Sequence, residues 1–430
     1  PGRLRPSQKL SNLSSRPAAR NKHVFLYADC LMANGLPRKV IVNDRAAKRL
    51  RDGHVWVYAS DVLNDGGAQP GAMVHIIGPK DKILGSAIYS STSQIKLRLL
   101  GREALRSEEE LLQLMRQRLA EAVSYRTKVV QNSNAYRLVF SEADRLPGLI
   151  IDRYNDVFTL QVLTQAWAAP ERKQAIIAAL KDFAGAENIV ERADARIREL
   201  EQLPEMESGP IEGGKSSTVF TMNGVKFHYD ALGGQKTGAF LDQRENYATT
   251  AQYAKGEALD VCTYQGGFAL HLARVCDKVT AVDISREVLE VAEQNETLND
   301  AENKTEIEWI EGNAFDLMKD YSSAGRQYDT IVLDPPAFAK SKKHLESAVR
   351  GYKELNLRAL KMLRPGGVLV TCSCSFAVSE QDFFDVLNEA AQDAHRSVRV
   401  LEKRTQAKDH PILLGVPETF YLKCFVLSVS

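Results

Sequence analysis

Two side chains near the C-terminal end of the sequence could together perform covalent chemistry on a pyrimidine. Cys374 lies in Cys-Ser-Cys-Ser after one apolar strand, and Asp334 begins Asp-Pro-Pro-Ala-Phe after another. Carbon 5 of cytosine is a weak nucleophile, but a thiolate that adds to carbon 6 activates it. A protonated carboxyl can donate to ring nitrogen 3 and stabilise that adduct. The pair therefore predicts methyl transfer to carbon 5 of a cytosine, with Cys374 as nucleophile and Asp334 as acid.

Each of these residues has a second interpretation. In methyltransferases, Asp-Pro-Pro at this strand indicates attack on a nitrogen of a base, and its prolines make the strand exit rigid so that a base could stack on Phe338. Cys374 could instead pack at a strand end, but we favour the chemical role, for which its thiol needs a lowered pKa. Cys372 could remove the carbon-5 proton, although a small buried hydrophobic residue is the more typical role of such a cysteine.

A buried strand, a glycine turn and a helix N-terminus precede these residues and could position a nucleoside cofactor. The strand is Ala258–Val261, and the turn contains Gly266 and Gly267, where a Cβ would keep a ligand away from the backbone N–H groups. The next strand ends at Asp283, whose carboxylate could accept both ribose hydroxyls. The pattern G-x-G-x-x-G is absent, which argues against a nicotinamide enzyme. The arrangement predicts a parallel α/β sheet that binds S-adenosylmethionine.

Length and composition limit the classes of protein to which the chain can belong. Its 430 residues suffice for two or three domains, and 44% hydrophobic with 26% charged residues is typical of a globular protein. No apolar run approaches the roughly 20 residues that cross a bilayer. The net charge is +1, but the first sixty residues hold twelve Lys or Arg against three Asp, which indicates a polyanionic partner or a solvated basic tail. The six cysteines form no C-x-x-C pair, so we expect no metal site, no disulfide and a cytoplasmic location.

The N-terminal third of the chain separates into a basic segment and a strand-rich domain. Residues 1–36 have the composition of a transit peptide, of a disordered arm or of an extension upstream of an internal start. We favour the extension and expect it to be disordered. Short strands and glycine turns over 37–105 predict a small β-barrel. On its short helix, Lys48 and Arg51 could hold phosphates, whereas Trp56 is more typical of core packing than of base stacking.

The rest of the chain is predicted to contain two further domains and a linker. Residues 106–198 predict a long helix followed by an α+β unit without catalytic residues, in which Arg137 and Asp152 belong to turns and surface pairs. Residues 199–217 are rich in Glu, Pro and Gly and predict a linker. Residues 218–430 begin with a hairpin predicted to turn at Asn223-Gly224 and contain the cofactor sheet. We therefore expect a multidomain α/β protein.

The sequence resembles a known family over residues 37–430. The motifs that carry the resemblance are LPGLIIDR (146–153), KTGAFLDQRENY (236–247), TYQGGFA (263–269), DPPAFAKSK (334–342), RGYKELN (350–356), CSCS (372–375), DHP (409–411) and YLK (421–423). They are similar to motifs of the bacterial 23S ribosomal RNA cytosine-5 methyltransferases of the large-subunit methyltransferase I type. The resemblance implies an N-terminal PUA domain, a central α+β domain and a C-terminal Rossmann-like class I methyltransferase domain. It also implies S-adenosylmethionine as cofactor and ribosomal RNA or a ribosomal particle as substrate.

The resemblance further implies roles for individual residues. Cofactor contacts would come from Phe240, Gln243, Arg244, Asp260, Gly266, Gly267, Phe268, Asp283, Asn313 and Asp334. Of these, Asp260 and the two glycines would line the methionine part, while Asp283 would bind the ribose and Asn313 the adenine. RNA contacts would come from Pro335, Pro336, Phe338, Lys340, Arg350 and Tyr352, together with Lys48 and Arg51. Cys374 would be the nucleophile.

Two positions depart from the family pattern. Asn313 stands where Asp is expected, but its amide oxygen can still accept from the adenine amino group. Cys372 stands where an aromatic or other apolar residue is usual. Separately, RNA cytosine methyltransferases of the two-cysteine type carry a second cysteine after Asp-x-Pro, where this chain has Ala337. Release of the product must therefore proceed without that thiol.

Two other functions stay open on the sequence alone. A guanine N2-methyltransferase shares Asp-Pro-Pro but needs no thiol. An RNA-binding ribosome-assembly factor would carry a silent catalytic domain, although the retention of Asp283, Asp334 and Cys374 argues against silence. The residues leave open which cytosine is modified, and whether the chain forms a homodimer.

Overall fold

The N-terminal part of the described chain is a mixed β-sheet with one short α-helix. The computed structural model describes residues 36–233, 239–339 and 344–430, so the predicted basic extension lies outside the described residues except for Leu36. The elements are β1 (Arg38–Val42), α1 (Asp44–Arg51), β2 (Trp56–Tyr58), β3 (Val62–Asn64), β4 (Met73–Ile77), β5 (Ile83–Tyr89) and β6 (Ile95–Gly101). In this described part, the strands pair in the order β2-β6-β5-β4-β1-β3. The short edge strand β3 is the one that the sequence pattern did not predict.

Helix α1 divides its basic residues between an internal ion pair and the surface. The buried Asp61 carboxylate accepts from Arg45 Nε at 2.7 Å and from Arg49 Nη1 at 2.8 Å. Lys48 and Arg51 are exposed on the same helix. Because two guanidinium groups share one carboxylate and Arg45 is itself exposed, the positive charge at this surface comes from Arg45 as well as from Lys48 and Arg51.

Several contacts join this sheet to the rest of the molecule, and two of them bear on the sequence predictions and on the glycines. Trp56 donates its indole Nε1–H to Glu142 Oε1 at 2.9 Å and is only half-buried, so the prediction that it packs in the core was wrong. Gly53 and Gly415 approach backbone to backbone, and a Cβ on Gly415 would lie 2.0 Å from the Gly53 carbonyl oxygen. Only a residue without a side chain fits at Gly415.

A central α+β unit follows. Its elements are α2 (Glu108–Val129), β7 (Ala135–Phe140), β8 (Leu149–Tyr154), β9 (Val157–Val162), α3 (Pro170–Ala184), β10 (Asn188–Glu191), α4 (Ala195–Leu200) and β11 (Gly209–Glu212). Among the described residues, its strands pair in the order β11-β10-β9-β8-β7. The predicted linker 199–217 is thus wrong in part, because β11 forms the edge of this sheet. An edge strand tolerates Pro210, which lacks an N–H group.

The central unit also holds a buried ion pair that the sequence assigned to the surface. Arg137 donates from Nε to Asp152 Oδ1 at 2.8 Å and from Nη2 to Oδ2 at 3.0 Å, and Asp152 is buried. The surface assignment was wrong because the loop that contains Asp409 covers β7. Asp409 Oδ2 accepts from the Arg137 backbone N–H at 2.8 Å, so this loop belongs to the interface between the central unit and the C-terminal sheet.

A hairpin leads from the central unit to the C-terminal sheet. It consists of β12 (Ser217–Met222) and β13 (Val225–Asp230). Asn223 and Gly224 have φ angles of 53° and 83°, which are the positive values that a type I′ turn requires. The predicted Asn-Gly turn is confirmed. The hairpin packs its buried Phe220 and Phe227 against each other, with ring centroids 5.4 Å apart.

The C-terminal sheet is mostly parallel and is flanked by helices. Its elements are α5 (Arg244–Tyr253), β14 (Glu257–Val261), α6 (Gly267–Leu272), β15 (Lys278–Asp283), α7 (Arg286–Thr297), β16 (Ile307–Glu311), α8 (Ala314–Ser323), β17 (Tyr328–Leu333), α9 (Leu345–Met362), β18 (Leu363–Ser373), α10 (Glu380–Asp393), β19 (Val398–Arg404) and β20 (Lys423–Val429). In the described chain, these strands pair in the order β16-β15-β14-β17-β18-β20-β19. Strand β20 runs antiparallel to both of its neighbours. The predicted parallel α/β sheet is therefore confirmed.

Apolar side chains on both faces hold this sheet between its helices. One buried cluster joins the sheet to α6 and to the hairpin, and a second joins it to α9 and α10. Because both faces are covered, polar side chains can reach a common cleft only where the strands end. None of the described helices has the length and apolar character to cross a bilayer.

Candidate active site

The two residues with which the sequence analysis began meet at the carboxyl ends of neighbouring strands. Asp334 follows β17, and Cys374 follows β18, which pairs with β17 in parallel register. The Cys374 Sγ lies 3.9 Å from the Pro335 carbonyl oxygen. The structure therefore places the thiol against the Pro-Pro corner. Pro335 is buried, whereas Pro336 is exposed and Phe338 is half-buried.

The Asp334 carboxyl is positioned by an amide side chain. Gln243 is buried and donates from Nε2 to Asp334 Oδ2 at 2.9 Å, while its Oε1 accepts from Asn246 Nδ2 at 2.6 Å. The pKa of Asp334 is raised to about 8, mainly by burial and also by the nearby carboxylates of Asp242 and Asp260. The hydrogen bond from Gln243 lowers this pKa by a smaller amount. A carboxyl with such a pKa keeps its proton near neutral pH. Asp334 can therefore act as a hydrogen-bond donor.

The Cys374 thiol lies in an environment that opposes its ionisation. Burial raises the pKa of Cys374 to about 12, and the carboxylates of Asp334 and Asp242 add to this effect, whereas the Lys423 ammonium acts in the opposite direction. The sequence analysis expected a lowered pKa, and this expectation was wrong. The pKa is raised chiefly because the thiol is buried, and the two acidic side chains, which are far from Cys374 along the chain, raise it further. Positive charge near the sulfur is consequently needed to form the thiolate.

Cys372 does not face this cleft as a base would. It is completely buried in the apolar cluster, and its Cα partner across the sheet is Cys424. Burial raises the pKa of Cys372 well above its ordinary value. The interpretation of Cys372 as a small buried hydrophobic residue is confirmed.

The Asp260 carboxyl at the end of β14 has one oxygen in use and one without a partner. Its Oδ2 accepts from Thr263 Oγ1 at 2.6 Å and from the Ala269 backbone N–H at 3.0 Å. Its Oδ1 is buried and has no hydrogen-bond partner among the described residues. An unsatisfied buried acceptor is costly unless a ligand donates to it. The ammonium group of a methionine moiety would supply that donor.

The glycine turn is shaped by two aromatic rings. A Cβ on Gly266, whose φ is +84°, would lie 2.8 Å from the Trp309 ring, and a Cβ on Gly267 would lie 2.5 Å from the Tyr247 ring. The sequence analysis explained these glycines by ligand access alone. The structure adds a packing reason, because the rings leave no room for a side chain.

Two residues that follow β15 and β16 are held by backbone N–H groups. Asp283 is half-buried and accepts from the N–H groups of Tyr264 at 2.9 Å and Ser285 at 3.1 Å. Asn313 is exposed, and its Oδ1 caps α8 by accepting from the Phe315 N–H at 2.9 Å. The oxygen that was expected to accept from adenine therefore already serves the helix, which leaves the Asn313 amide N–H₂ for a ligand.

Two predicted contact residues have other partners in the structure, and a third is exposed. Arg244 is buried and donates from Nη2 to Asp409 Oδ1 at 2.7 Å, so its charge is used in the interface with the central unit. Tyr352 is also buried, with its hydroxyl 2.9 Å from Ser375 Oγ and its ring centroid 4.7 Å from that of Phe338. An ion pair surrounds the first side chain and packing surrounds the second, so their assignments as direct ligand contacts stay predictions. Arg350 is exposed on α9.

The other predicted positions differ in accessibility. Phe240 is half-exposed, and its ring centroid lies 4.9 Å from that of Tyr264, so these rings form one wall beside the glycine turn. Phe268 is buried against Tyr247, at 4.7 Å between ring centroids, and supports the turn from inside. Lys340 lies outside the described residues.

Sequence reasoning missed two charged residues of the site. Asp242 accepts a hydrogen bond from the Tyr421 hydroxyl at 2.6 Å. Its charge raises the pKa of both Asp334 and Cys374. Lys423 is buried beside the end of β18. The available signal for Lys423 was its place at the start of the apolar strand KCFVLSV, where a buried lysine is unusual.

Comparison with known proteins agrees with this geometry. The profile of the PUA-like domain matches residues 40–102, and that of the S-adenosylmethionine-dependent methyltransferases matches residues 155–418. The chain is 36% identical over 400 residues to the ribosomal RNA large subunit methyltransferase I of Klebsiella pneumoniae (strain 342), covering 91% of this chain and 98% of that protein. It is 35% identical over 399 residues to the protein of the same name from Escherichia coli (strain SMS-3-5 / SECEC), covering 91% and 99%.

Solved structures share the fold. A protein from Streptococcus mutans described as a SAM-dependent methyltransferase has a TM-score of 0.75 at 19% identity, covering 91% of this chain and all of that one. A second structure, a methyltransferase complexed with SAH, has a TM-score of 0.76 at 19% identity with the same coverage.

Proposed function

The chain belongs to the S-adenosylmethionine-dependent methyltransferase family, and we propose that it methylates carbon 5 of a cytosine in large-subunit ribosomal RNA through a covalent cysteine adduct. The proposal combines the substrate of the named relatives with the chemistry of this chain's own cleft. One observation carries the choice of carbon 5, namely the thiol of Cys374 3.9 Å from the Pro335 carbonyl oxygen and beside Asp334.

The cofactor would be held by the carboxyl ends of β14 and β15. When bound, S-adenosylmethionine supplies an electrophilic methyl group. The unpartnered Asp260 Oδ1 accepts from its ammonium group, and Asp283 accepts from the ribose hydroxyls. Phe240 and Tyr264 cover this region with their rings, and the Asn313 amide lies where the adenine edge is expected.

The cytosine would be held at the Pro-Pro corner, where three residues act on it in sequence. The Cys374 thiolate bonds to carbon 6, and the electron pair of the 5,6 double bond makes carbon 5 nucleophilic. Asp334, protonated because its pKa is about 8, donates its proton towards ring nitrogen 3 and so stabilises the adduct. After methylation, the carbon-5 proton passes to water, the sulfur–carbon bond breaks, and its electron pair returns to Cys374, while ring nitrogen 3 gives its proton back to Asp334. Phe338 offers a half-buried ring for stacking.

A guanine N2-methyltransferase is the second candidate within the same family. It would use Asp334-Pro335-Pro336 to hold the exocyclic amine and would leave the thiol idle. Nothing in that reaction explains a half-buried cysteine whose sulfur points at the Pro335 carbonyl. We therefore prefer the cytosine assignment.

The RNA would also contact the N-terminal sheet. Lys48 and Arg51 are exposed on α1, while Arg45 and Arg49 share an ion pair with Asp61. We place the RNA-binding domain at 37–105, the central domain at 106–198 extended by β11, and the methyltransferase domain at 218–430. Phosphate contacts by exposed cations predict an affinity for ribosomal RNA that falls with salt. A cytoplasmic location fits this substrate.

The decisive experiment measures nucleosides. Ribosomal RNA is incubated with the protein and isotopically labelled S-adenosylmethionine, digested, and analysed by mass spectrometry. We expect labelled 5-methylcytidine, and we expect C374A to reduce its formation at least about a thousandfold, as is typical when a nucleophile is removed. C372A is the matched control, since it removes a neighbouring thiol that lies in the apolar core, and should retain activity. Labelled N2-methylguanosine, or full activity of C374A, would contradict the proposal.

A further inference from the structure

Lys423 is a buried lysine directly behind the proposed nucleophile. It begins β20, its Cα partner across the sheet is Ser373, and its side chain is 3% exposed. Its Nζ donates to the carbonyl oxygens of Ser375 at 2.7 Å and Tyr421 at 3.0 Å. An ammonium group has three N–H donors, so these two bonds leave one donor for another acceptor. The bond to Ser375 holds the peptide between Ser375 and Phe376, one residue beyond Cys374.

The charges around the thiol make this lysine distinctive. The carboxyl groups of Asp334 and Asp242 and the Tyr352 hydroxyl face Cys374 from the other elements around it. Lys423 supplies the positive charge that acts on this sulfur among the described residues. Without it, the thiol would face carboxyl groups in a partly desolvated cleft, where the thiolate is unfavourable.

The lysine itself is held in place by charge of the opposite sign. Cys374, Asp382 and Glu380 face Lys423 and favour its charged form. Burial acts more strongly, and lowers the pKa of Lys423 to about 8. The ammonium form is therefore retained near neutral pH, and its charge is placed where solvent does not screen it.

We propose that Lys423 is a positioning residue for Cys374, which fixes the strand exit through the Ser375 carbonyl and stabilises the thiolate through its charge. The inference rests on the proposed function, because it assigns the source of the ionised sulfur in that mechanism. In the step it assists, the S–H bond of Cys374 breaks, the electron pair stays on sulfur, and the proton passes to water. Lys423 touches neither substrate nor cofactor in this role.

The test follows the thiol directly, without RNA. The rate of Cys374 alkylation by iodoacetamide is measured against pH in the full chain, with site-resolved mass spectrometry to separate this cysteine from the others. K423M removes the charge at nearly constant length. We expect its alkylation rate at pH 7, where Lys423 is still charged in the wild type, to fall about tenfold, because the thiolate fraction changes tenfold for each unit of pKa. K423R keeps a positive charge and should restore at least part of the rate.

Controls separate the charge effect from a loss of structure. K403M makes the same change at an exposed lysine on the neighbouring strand β19 and should leave the alkylation profile unchanged. Should K423M lose cooperative unfolding, K423Q carries the same comparison. An alkylation profile that is identical in the wild type and in K423M or K423Q would overturn the inference. Failure of the proposed function is a different result, since it would appear as full methylation activity in C374A whatever the alkylation profile.

Discussion

Two buried carboxyl groups of the C-terminal domain have opposite surroundings. Asp409 accepts from Arg244 Nη2 at 2.7 Å and from the Arg137 backbone N–H at 2.8 Å. Burial alone would raise the pKa of Asp409, but His410 and Arg244 outweigh it and hold the pKa well below the ordinary value. The Asp334 carboxyl instead accepts one hydrogen bond, which comes from the neutral side-chain amide of Gln243. Burial raises the pKa of Asp334 to about 8.

The difference between the two carboxyl groups separates assembly from chemistry. Asp409 is a permanent anion that joins the central unit to the catalytic domain, since its partners come from β7 and from α5. Asp334 is a carboxyl group that keeps its proton near neutral pH and lies at the cleft. An uncompensated buried charge is unfavourable. A carboxyl group without a cationic partner is therefore expected only where a neutral, protonated group is useful. The four predictions below test this contrast, beginning with the largest effect.

Removing the charge of the paired carboxyl should have the largest effect on stability. D409N removes the nearer counter-ion of the buried Arg244 guanidinium and leaves Glu245 at 3.7 Å, and loss of one partner of a buried pair typically costs about 3–5 kcal/mol. Urea unfolding at pH 7 measures the change in the free energy of unfolding. A loss below about 1 kcal/mol would mean that the pair does not hold the two units together.

Removing the proton of the unpaired carboxyl should affect catalysis rather than stability. D334N keeps the size of the side chain but cannot donate an acidic proton, and general-acid groups typically contribute about 10²–10⁴-fold to a rate. Formation of 5-methylcytidine should fall by at least about a hundredfold. The unfolding midpoint at pH 7 should stay unchanged or rise. A variant as unstable as D409N would erase the contrast between the two groups.

The two carboxyl groups should also give opposite dependences of stability on pH. The folded-state pKa of Asp334 is raised, so its contribution is fully present below the ordinary value of about 4 and is lost as the pH rises to about 8. The folded-state pKa of Asp409 is lowered, so its contribution is present above about 4 and is lost as the pH falls below that value. Urea unfolding of the wild type, D334N and D409N from pH 3 to pH 9 measures both slopes. Parallel curves for the wild type and D334N between pH 5 and pH 8 would disprove the first assignment.

An exposed pair should respond least. Lys403 Nζ lies 2.9 Å from Glu380 Oε1, with both side chains about half-exposed. Solvent screens such pairs, which typically contribute roughly 0–1 kcal/mol. E380Q should therefore change the free energy of unfolding by less than about 1 kcal/mol, as measured by the same urea titrations. A larger loss would show that burial is not what distinguishes Asp409.

Local sequence signals predicted the elements that depend on neighbouring residues. The Asn223-Gly224 turn followed from the demand of a tight hairpin for positive φ. The meeting of Asp334 and Cys374 followed from the rule that parallel strands bring their carboxyl ends to one edge. Both inferences needed only a few consecutive residues and the order of the strands.

Contacts between distant segments could not be predicted in this way. Asp242 and Lys423 reach the thiol from segments 132 and 49 residues away in the sequence, and no local pattern specifies such distances. The pKa of Cys374 is raised by burial and by carboxyl groups such as that of Asp242, and is lowered by Lys423, so its direction could not be predicted from the residues next to it. The strand β11 was hidden for a related reason, since a Pro-containing segment pairs only because an edge is available to it.

The contact between Gly53 and Gly415 limits how a long substrate could be positioned relative to the thiol. Because two main chains touch there without intervening side chains, the cationic helix α1 and the loop that leads to Lys423 cannot drift apart by rotamer changes. A polynucleotide gripped at Lys48 and Arg51 would present its nucleotides to the thiol at a constant contour length. The protein would then select its target partly by the distance along the RNA between the bound phosphates and the methylated nucleotide, and the contact between the two glycines would keep that distance constant.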